Sequence, residues 1–319
     1  MAITSFNGVG EISDPSINEI IKDNLISYLD WGFLEAGGFG NVNIPSSGTN
    51  YIEKLRRVDD PRYTNGTVWE AQRKNWVWET NLERSTQPIE ISGIYVNNTF
   101  WPKNSGYYMD YPNGRVVFNS PMPAASSVRL NYSYKWVSIL DGDAQEDVAQ
   151  IQYRSFKYDT NIPVNSGNWQ RLADTRVQLP AVLVHIPTKK TYQGYQLGGG
   201  QYVRMEVLLD VIGEDKVSAT RIANAISQQN DSTIYVYDTE RVADDDNYPL
   251  DYRGSPKDSA MTYPELIAYT GDGGYRYIDK IMNSKMTFIR TEEQGVQKLN
   301  NNIWHCPVTM TIELVLNQI

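Results

Sequence analysis

Histidine chemistry has little to draw on in this sequence. His185 and His305 are the only histidines among 319 residues, and Cys306 is the only cysteine. His305 and Cys306 are adjacent in an alternating run, so as strand residues they point to opposite faces and cannot readily ligate one ion. His185, within Val182–Ile186, reads as a packed or surface strand histidine. No Cys/His spacing matches a zinc site. Gly198-Gly199-Gly200 could suggest a phosphate cradle, but such loops deliver their glycines to a helix N-terminus. These glycines lead into a strand and read as a turn. Asp244-Asp245-Asp246 offers oxygens to Ca²⁺ at a spacing that misses the EF-hand loop. Carboxylates are plentiful, yet nothing pairs two of them across a cleft as glycoside hydrolysis requires. Trp69, Trp76, Trp78, Trp101, Tyr107, Tyr108 and Tyr111 could stack on sugars, or fill a sandwich core and subunit interfaces. The expectation is therefore no catalytic residue, no cofactor and no metal. The candidate sites are subunit or partner contacts: Gly198, Gly199 and Gly200, the acidic Asp244, Asp245 and Asp246, and Tyr248, Tyr275 and Tyr277.

The elements that must position these residues centre on Val177–Asp238. Val177–Pro187 reads as a strand, and a polar, Gly-rich segment follows it. From Val203 the apolar residues alternate (Val203, Met205, Val207, Leu209, Val211), the period of a half-buried strand. In Lys216–Gln229 the spacing becomes helical, with Ala219, Ile222, Ala223 and Ile226 on one face. Thr233–Asp238 returns to β character. At the C-terminus Trp304, Cys306, Val308, Met310, Ile312, Leu314 and Leu316 share one face of a long strand. Lys285–Arg290 adds a further strand.

Before this unit, Ser16-x-x-Glu19 is a capping box. Ile17, Ile20, Ile21, Leu25, Tyr28 and Leu29 form the stripe of a helix stopped by Gly37-Gly38. Asn41–Ile44 suggests a short strand. Residues 51–168 change character. Ile89–Val96 meets an Asn97-Asn98 turn, Asn113-Gly114 joins Tyr107–Tyr111 to Arg115–Asn119 as a hairpin, and Val128–Trp136 alternates as one strand. Thr160–Asn168 reads as a return linker. Residues 239–281 read as a long functional or mobile loop with one short helix around Pro264–Tyr269.

The net charge of −9 argues against a nucleic-acid binder, which needs a basic footprint. It is compatible with an acidic lumen through which DNA passes without sticking. No run of about 18 apolar residues occurs, so no helix is expected to span a membrane. The N-terminus shows no signal-peptide pattern, and a lone cysteine suits a reducing cytoplasm.

The Leu179-Pro180-Ala181-Val182 strand, the Leu197-Gly198-Gly199-Gly200 turn, the alternating strand and the amphipathic helix closed by a short strand resemble tail terminator and neck proteins of tailed bacteriophages. That resemblance implies an α+β fold: a tail-terminator-like sheet with two helices, built from 1–50 and 169–319. An inserted antiparallel β-rich, sandwich-like domain at 51–168 would complete it. It also implies a structural virion protein, assembled in the host cytoplasm into a ring, hexameric in that family. The ring would lie at the head–tail junction and contact the connector or neck, the tail tube and possibly the sheath, with DNA only passing through. A β-rich carbohydrate-binding or tail-appendage adhesion module is the alternative.

Overall fold

The computed structural model describes residues 17–44, 54–143, 177–187, 189–196, 199–271, 274–277, 281–300 and 303–316. Helix α1 (Ile17–Glu35) buries Ile17, Ile20, Ile21, Leu25, Leu29 and Leu34. Its end has a Schellman geometry: Gly37 takes φ +79°, its N–H bonds Leu34 O, and the Gly38 N–H bonds Phe33 O at 2.7 Å. A left-handed residue at this position favours glycine, which explains the stop.

A β-rich unit follows. Its strands are β1 (Phe39–Val42), β2 (Arg56–Val58), β3 (Val68–Glu70), β4 (Gly93–Val96), β5 (Thr99–Pro102), β6 (Tyr107–Asp110), β7 (Arg115–Phe118), β8 (Val128–Arg129) and β9 (Tyr132–Lys135). They form a β2-β3-β7-β6 sheet, a β5-β4-β8 sheet and a β1-β9 pair. These pack around one core that includes Trp69, Trp76, Ile94, Tyr107, Val116, Val128 and Tyr132. Asn97 and Asn98 both have positive φ, 48° and 67°, the conformation a tight β4–β5 hairpin demands.

Val128–Trp136 is not one strand. Alternation holds through Val128, Leu130 and Tyr132, then inverts: Lys135 is buried while Trp136 is 38 % exposed. At that point the chain leaves the β core and runs alongside α1, where an ion pair rather than apolar packing decides which side chain faces inward.

The main sheet adds β10 (Ser138–Asp141), β11 (Ala181–Val184), β12 (Lys189–Gln196), β13 (Gly199–Gly213), β14 (Thr233–Tyr235), β15 (Ile281–Glu293), β16 (Gln297–Asn300) and β17 (Ile303–Leu316). The order is β10-β11-β13-β17-β15-β14, with β12 also on β13 and β16 also on β17. Among the described strands of this sheet only β10–β11 pair in parallel. β13 and β17 pair continuously from Gln201↔Leu316 to Gly213↔Trp304, which puts both alternating apolar rows on one face. Helix α1 and helix α2 (Lys216–Ser227) cover that face. Ile20, Ile21, Leu25, Ile222, Ala223 and Ile226 pack against Val203–Val211, Cys306–Leu316 and Phe288. The chain is thus α+β, mostly β with few helices.

Three features differ from expectation. β10, from within 51–168, belongs to the main sheet, while β1, from before it, pairs with β9. Strands therefore cross between the segments although their apolar cores stay distinct. The polar segment after β11 is the strand β12. Thr191, Tyr192, Gln193 and Gly194 are exposed in succession, so neither face of it needs an apolar row. Residues 239–271 are also more ordered than a loop. Helix α3 (Thr239–Asp244) is capped by Asp238, and helix α4 (Tyr263–Ala268) by a Thr262/Glu265 capping box. The linker expected at Thr160–Asn168 lies outside the described residues. No helix among them is long and apolar enough to cross a membrane.

Candidate functional site

Helix α1, the β-rich unit and the 237–266 segment enclose a cleft of about 590 Å³ walled in part by Trp31, Trp78, Tyr248, Met261 and Tyr263. Clefts between packed units are common ligand and partner sites. A buried charge cluster forms part of its wall. Lys135 Nζ, on β9, lies 2.5 Å from Asp30 Oδ2 of α1 and 2.5 Å from Glu79 Oε1. Glu79 is held in turn, its Oε2 accepting the Trp78 N–H at 3.1 Å. Burial alone would lower the Lys135 pKa, but the two carboxylates outweigh it and hold the ammonium protonated above its ordinary range. Burial pushes the Glu79 carboxyl up against the pull of Lys135. Gln178 braces the strand by donating to Lys135 O at 3.2 Å.

A second polar cluster lies on the face of the main sheet opposite α1 and α2. His185 Nε2 is 3.0 Å from Asp210 Oδ2, and His305 Nε2 is 2.8 Å from Asp210 Oδ1. An ionised carboxylate only accepts, so both Nε2 atoms carry hydrogen. Asp143 Oδ1 stands 3.6 Å from His185 Nδ1. The hydrogen bond that His185 donates to Asp210 is the main cause raising the His185 pKa above the usual histidine range. Burial would raise the Asp210 carboxyl, yet the two imidazoles hold it well below its ordinary range. The register explains the meeting: His305 pairs with Ile212, two residues from Asp210 on the same face. His185 is therefore not an isolated strand histidine. Cys306 is buried on the opposite face, in the main core.

The expected contact residues fare unequally. Gly198 lies outside the described residues. Gly199 pairs with Gln196 across the β12–β13 hairpin, and Gly200 takes φ +87°, so these two serve a hairpin. Asp244, Asp245 and Asp246 are exposed around the end of α3, and Asp246 is paired with Lys257. Among the described residues no group of three or more His, Cys, Asp or Glu is placed to hold a metal ion. Tyr248 is exposed at the cleft. Tyr275 and Tyr277, expected as contacts, pack inside the chain. Both are buried; Tyr275 stacks on Tyr269 at 4.6 Å and Tyr277 joins the main apolar cluster.

Most of the aromatic set is likewise packed inside. Trp69, Trp76, Tyr107 and Tyr111 are buried in the β core, and Trp78, Trp101 and Tyr108 are half-buried. Sequence reasoning missed Tyr252, which is 87 % exposed in the turn closed by the Gly254 N–H to Asp251 O. The Asp251-x-x-Gly254 turn was the available signal. No protein-family model, curated protein or solved structure matches the chain.

Proposed function

We propose that this chain is a structural subunit of a tailed-phage virion, built on a tail-terminator-like sheet and assembling into a ring at the head–tail junction. The observation that carries the reading is β12. Its Thr191–Gly194 stretch is exposed on both faces, and among the described strands it pairs only with β13. An unpaired edge of this length is a template for another chain. A contact between one edge and a different surface of a neighbouring copy is heterologous, and such contacts generate rings when the rotation closes. Two helices on one sheet face, a second face that carries Arg204, Glu206, Thr311 and Glu313 beside one buried apolar cluster, and a net charge of −9 support the same reading, since an acidic lumen would let DNA pass. Six copies follow from the resemblance. The β-rich unit and the exposed Asp244–Tyr248 stretch would meet the connector or neck, tail tube or sheath.

Light scattering and negative-stain microscopy of the purified protein, alone and with tail tubes, test this. Closed rings, free or capping a tube, are expected. A monomer under every condition, together with purified virions lacking the protein, would sink the proposal. The alternative adhesion module draws on exposed Tyr248 and Tyr252. Glycan-array binding abolished by Tyr248→Ala or Tyr252→Ala would favour it.

A further inference from the structure

The Lys135 cluster has one feature that ion pairing does not explain. Two carboxylates face one ammonium in a setting where the side chains of Lys135, Glu79 and Asp30 are 8 %, 5 % and 22 % exposed, leaving a surplus negative charge. Taking three charges out of water is expensive, and attraction offsets that expense only with close geometry and saturated hydrogen bonding. The same arrangement is suited to covalent chemistry. A primary amine touches the carboxyl group of one residue while a second, buried carboxyl touches the same amine and can move its protons.

We propose that Lys135 and Asp30 condense into an intramolecular isopeptide bond, with Glu79 as the proton carrier, tying helix α1 covalently to the β-rich unit.

The step balances without an added reagent. Glu79 Oε1 takes a proton from the Lys135 ammonium. The freed Nζ lone pair attacks Asp30 Cγ, forming the Nζ–Cγ bond. The bond from Cγ to one carboxylate oxygen breaks, and that oxygen leaves as water carrying two protons that both began on Nζ and were passed on by Glu79. The amide keeps the third, and Glu79 ends as it began. Three charges become one. The adjoining cleft, lined by Asp30, Glu79 and Lys135, gives the water a way out.

Both reacting groups are fixed by backbone. Asp30 is within the 19-residue helix α1. Lys135 is pinned on β9 by its pairing with Phe39 and by its N–H to Asn75 O at 2.8 Å. Such fixing is worth a large effective concentration. Position distinguishes this lysine from Lys22, which also faces two aspartates, Asp141 at 2.8 Å and Asp143 at 3.6 Å. Those carboxylates are 34 % and 38 % exposed, against 22 % for Asp30 and 5 % for Glu79, so water solvates them more fully and competes with condensation.

The test is mass spectrometry of the native full-length chain after denaturation, followed by proteolysis and fragment sequencing. The expected result is a deficit of one water and a branched peptide joining Asp30 to Lys135. A chain of full mass overturns the proposal, as does a water loss that maps within a linear peptide. The reading needs no variant to fold. Glu79→Gln and Glu79→Ala then test the carrier: each should give the full, unbranched mass with native circular dichroism. A branched peptide in either would remove Glu79 from the step.

Discussion

His185 bridges two carboxylates from different elements, with Asp210 Oδ2 of β13 at 3.0 Å from one ring nitrogen and Asp143 Oδ1, just past β10, at 3.6 Å from the other. The bridge fastens an edge strand to the sheet. Asp143 also accepts the Ile186 N–H at 2.7 Å, and Lys22 of α1 reaches both Asp141 and Asp143. His305 supplies the second donor to Asp210.

Stability should follow the titration of this cluster. The folded-state pKa of His185 is raised, so its contribution is fully present below the unfolded value of about 6.5 and lost as pH rises through the folded value. Asp210 is depressed. Its contribution is present above about 3.9 and lost as pH falls through its lower folded value. Thermal melts should therefore fall on the alkaline side of about 6.5, and His185→Gln should flatten that limb. A native profile that is level there, or identical to the variant's, contradicts the assignment.

Gly142→Ala should reproduce the His185 effect without touching a charge. A Cβ at Gly142 would lie 2.6–2.8 Å from three atoms of the His185 ring, too close for both to keep their places. The ring must move from Asp210 or the β10 end must shift. The melt profile of Gly142→Ala is expected to match His185→Gln in shape. A native-like profile would mean that the backbone yields without disturbing the imidazole.

Arg115 offers a sharper stability test. Its side chain is almost fully buried, with Nε 2.8 Å from Glu70 Oε2 and Nη1 3.1 Å from Asp60 Oδ2. Arg115→Met removes the cation and leaves two buried carboxylates behind. A destabilisation of about 3–5 kcal/mol is expected, read as a lower urea midpoint. A loss near zero would show that Arg62, 2.6 Å from Asp60, and Lys74, 3.4 Å from Glu70, suffice to neutralise the site.

What the sequence disclosed follows one physical rule: periodicity is legible where one face is buried and the other is not. The α2 stripe of Ala219, Ile222, Ala223 and Ile226 is buried as expected. So is the β17 row from Cys306 to Leu316. β12 lacked an alternating row because the Thr191–Gly194 stretch is exposed on both sides. α3 was missed because six residues cannot display a full stripe and no proline marks its start, whereas α4, equally short, carries Pro264 in its first turn. Lys135 and Trp136 read backwards because ion pairing with Asp30 and Glu79 overrode hydrophobic order. The His185–Asp210–His305 meeting depends on which strands are neighbours, and spacing along one chain does not encode that.

The β12 edge gives the assembly proposal its most direct trial. Tyr192 is 46 % exposed and stands opposite Val203, on the face that α1 and α2 cover farther along. It is an exposed aromatic side chain on an edge that also carries Lys189 and Lys190, charged residues of the kind that commonly protect edge strands. Tyr192→Lys places a further cation there. Because an exposed residue away from buried features changes stability by only about 0.5 kcal/mol, the monomer should melt as the native chain does. A copy-to-copy contact through this edge, by contrast, would bury the new charge beside two others and fail. The expected outcome is loss of rings by light scattering and microscopy with an unchanged melting temperature. Intact rings in Tyr192→Lys would move the subunit contact away from β12, and a lowered melt would show that Tyr192 serves the fold rather than the assembly.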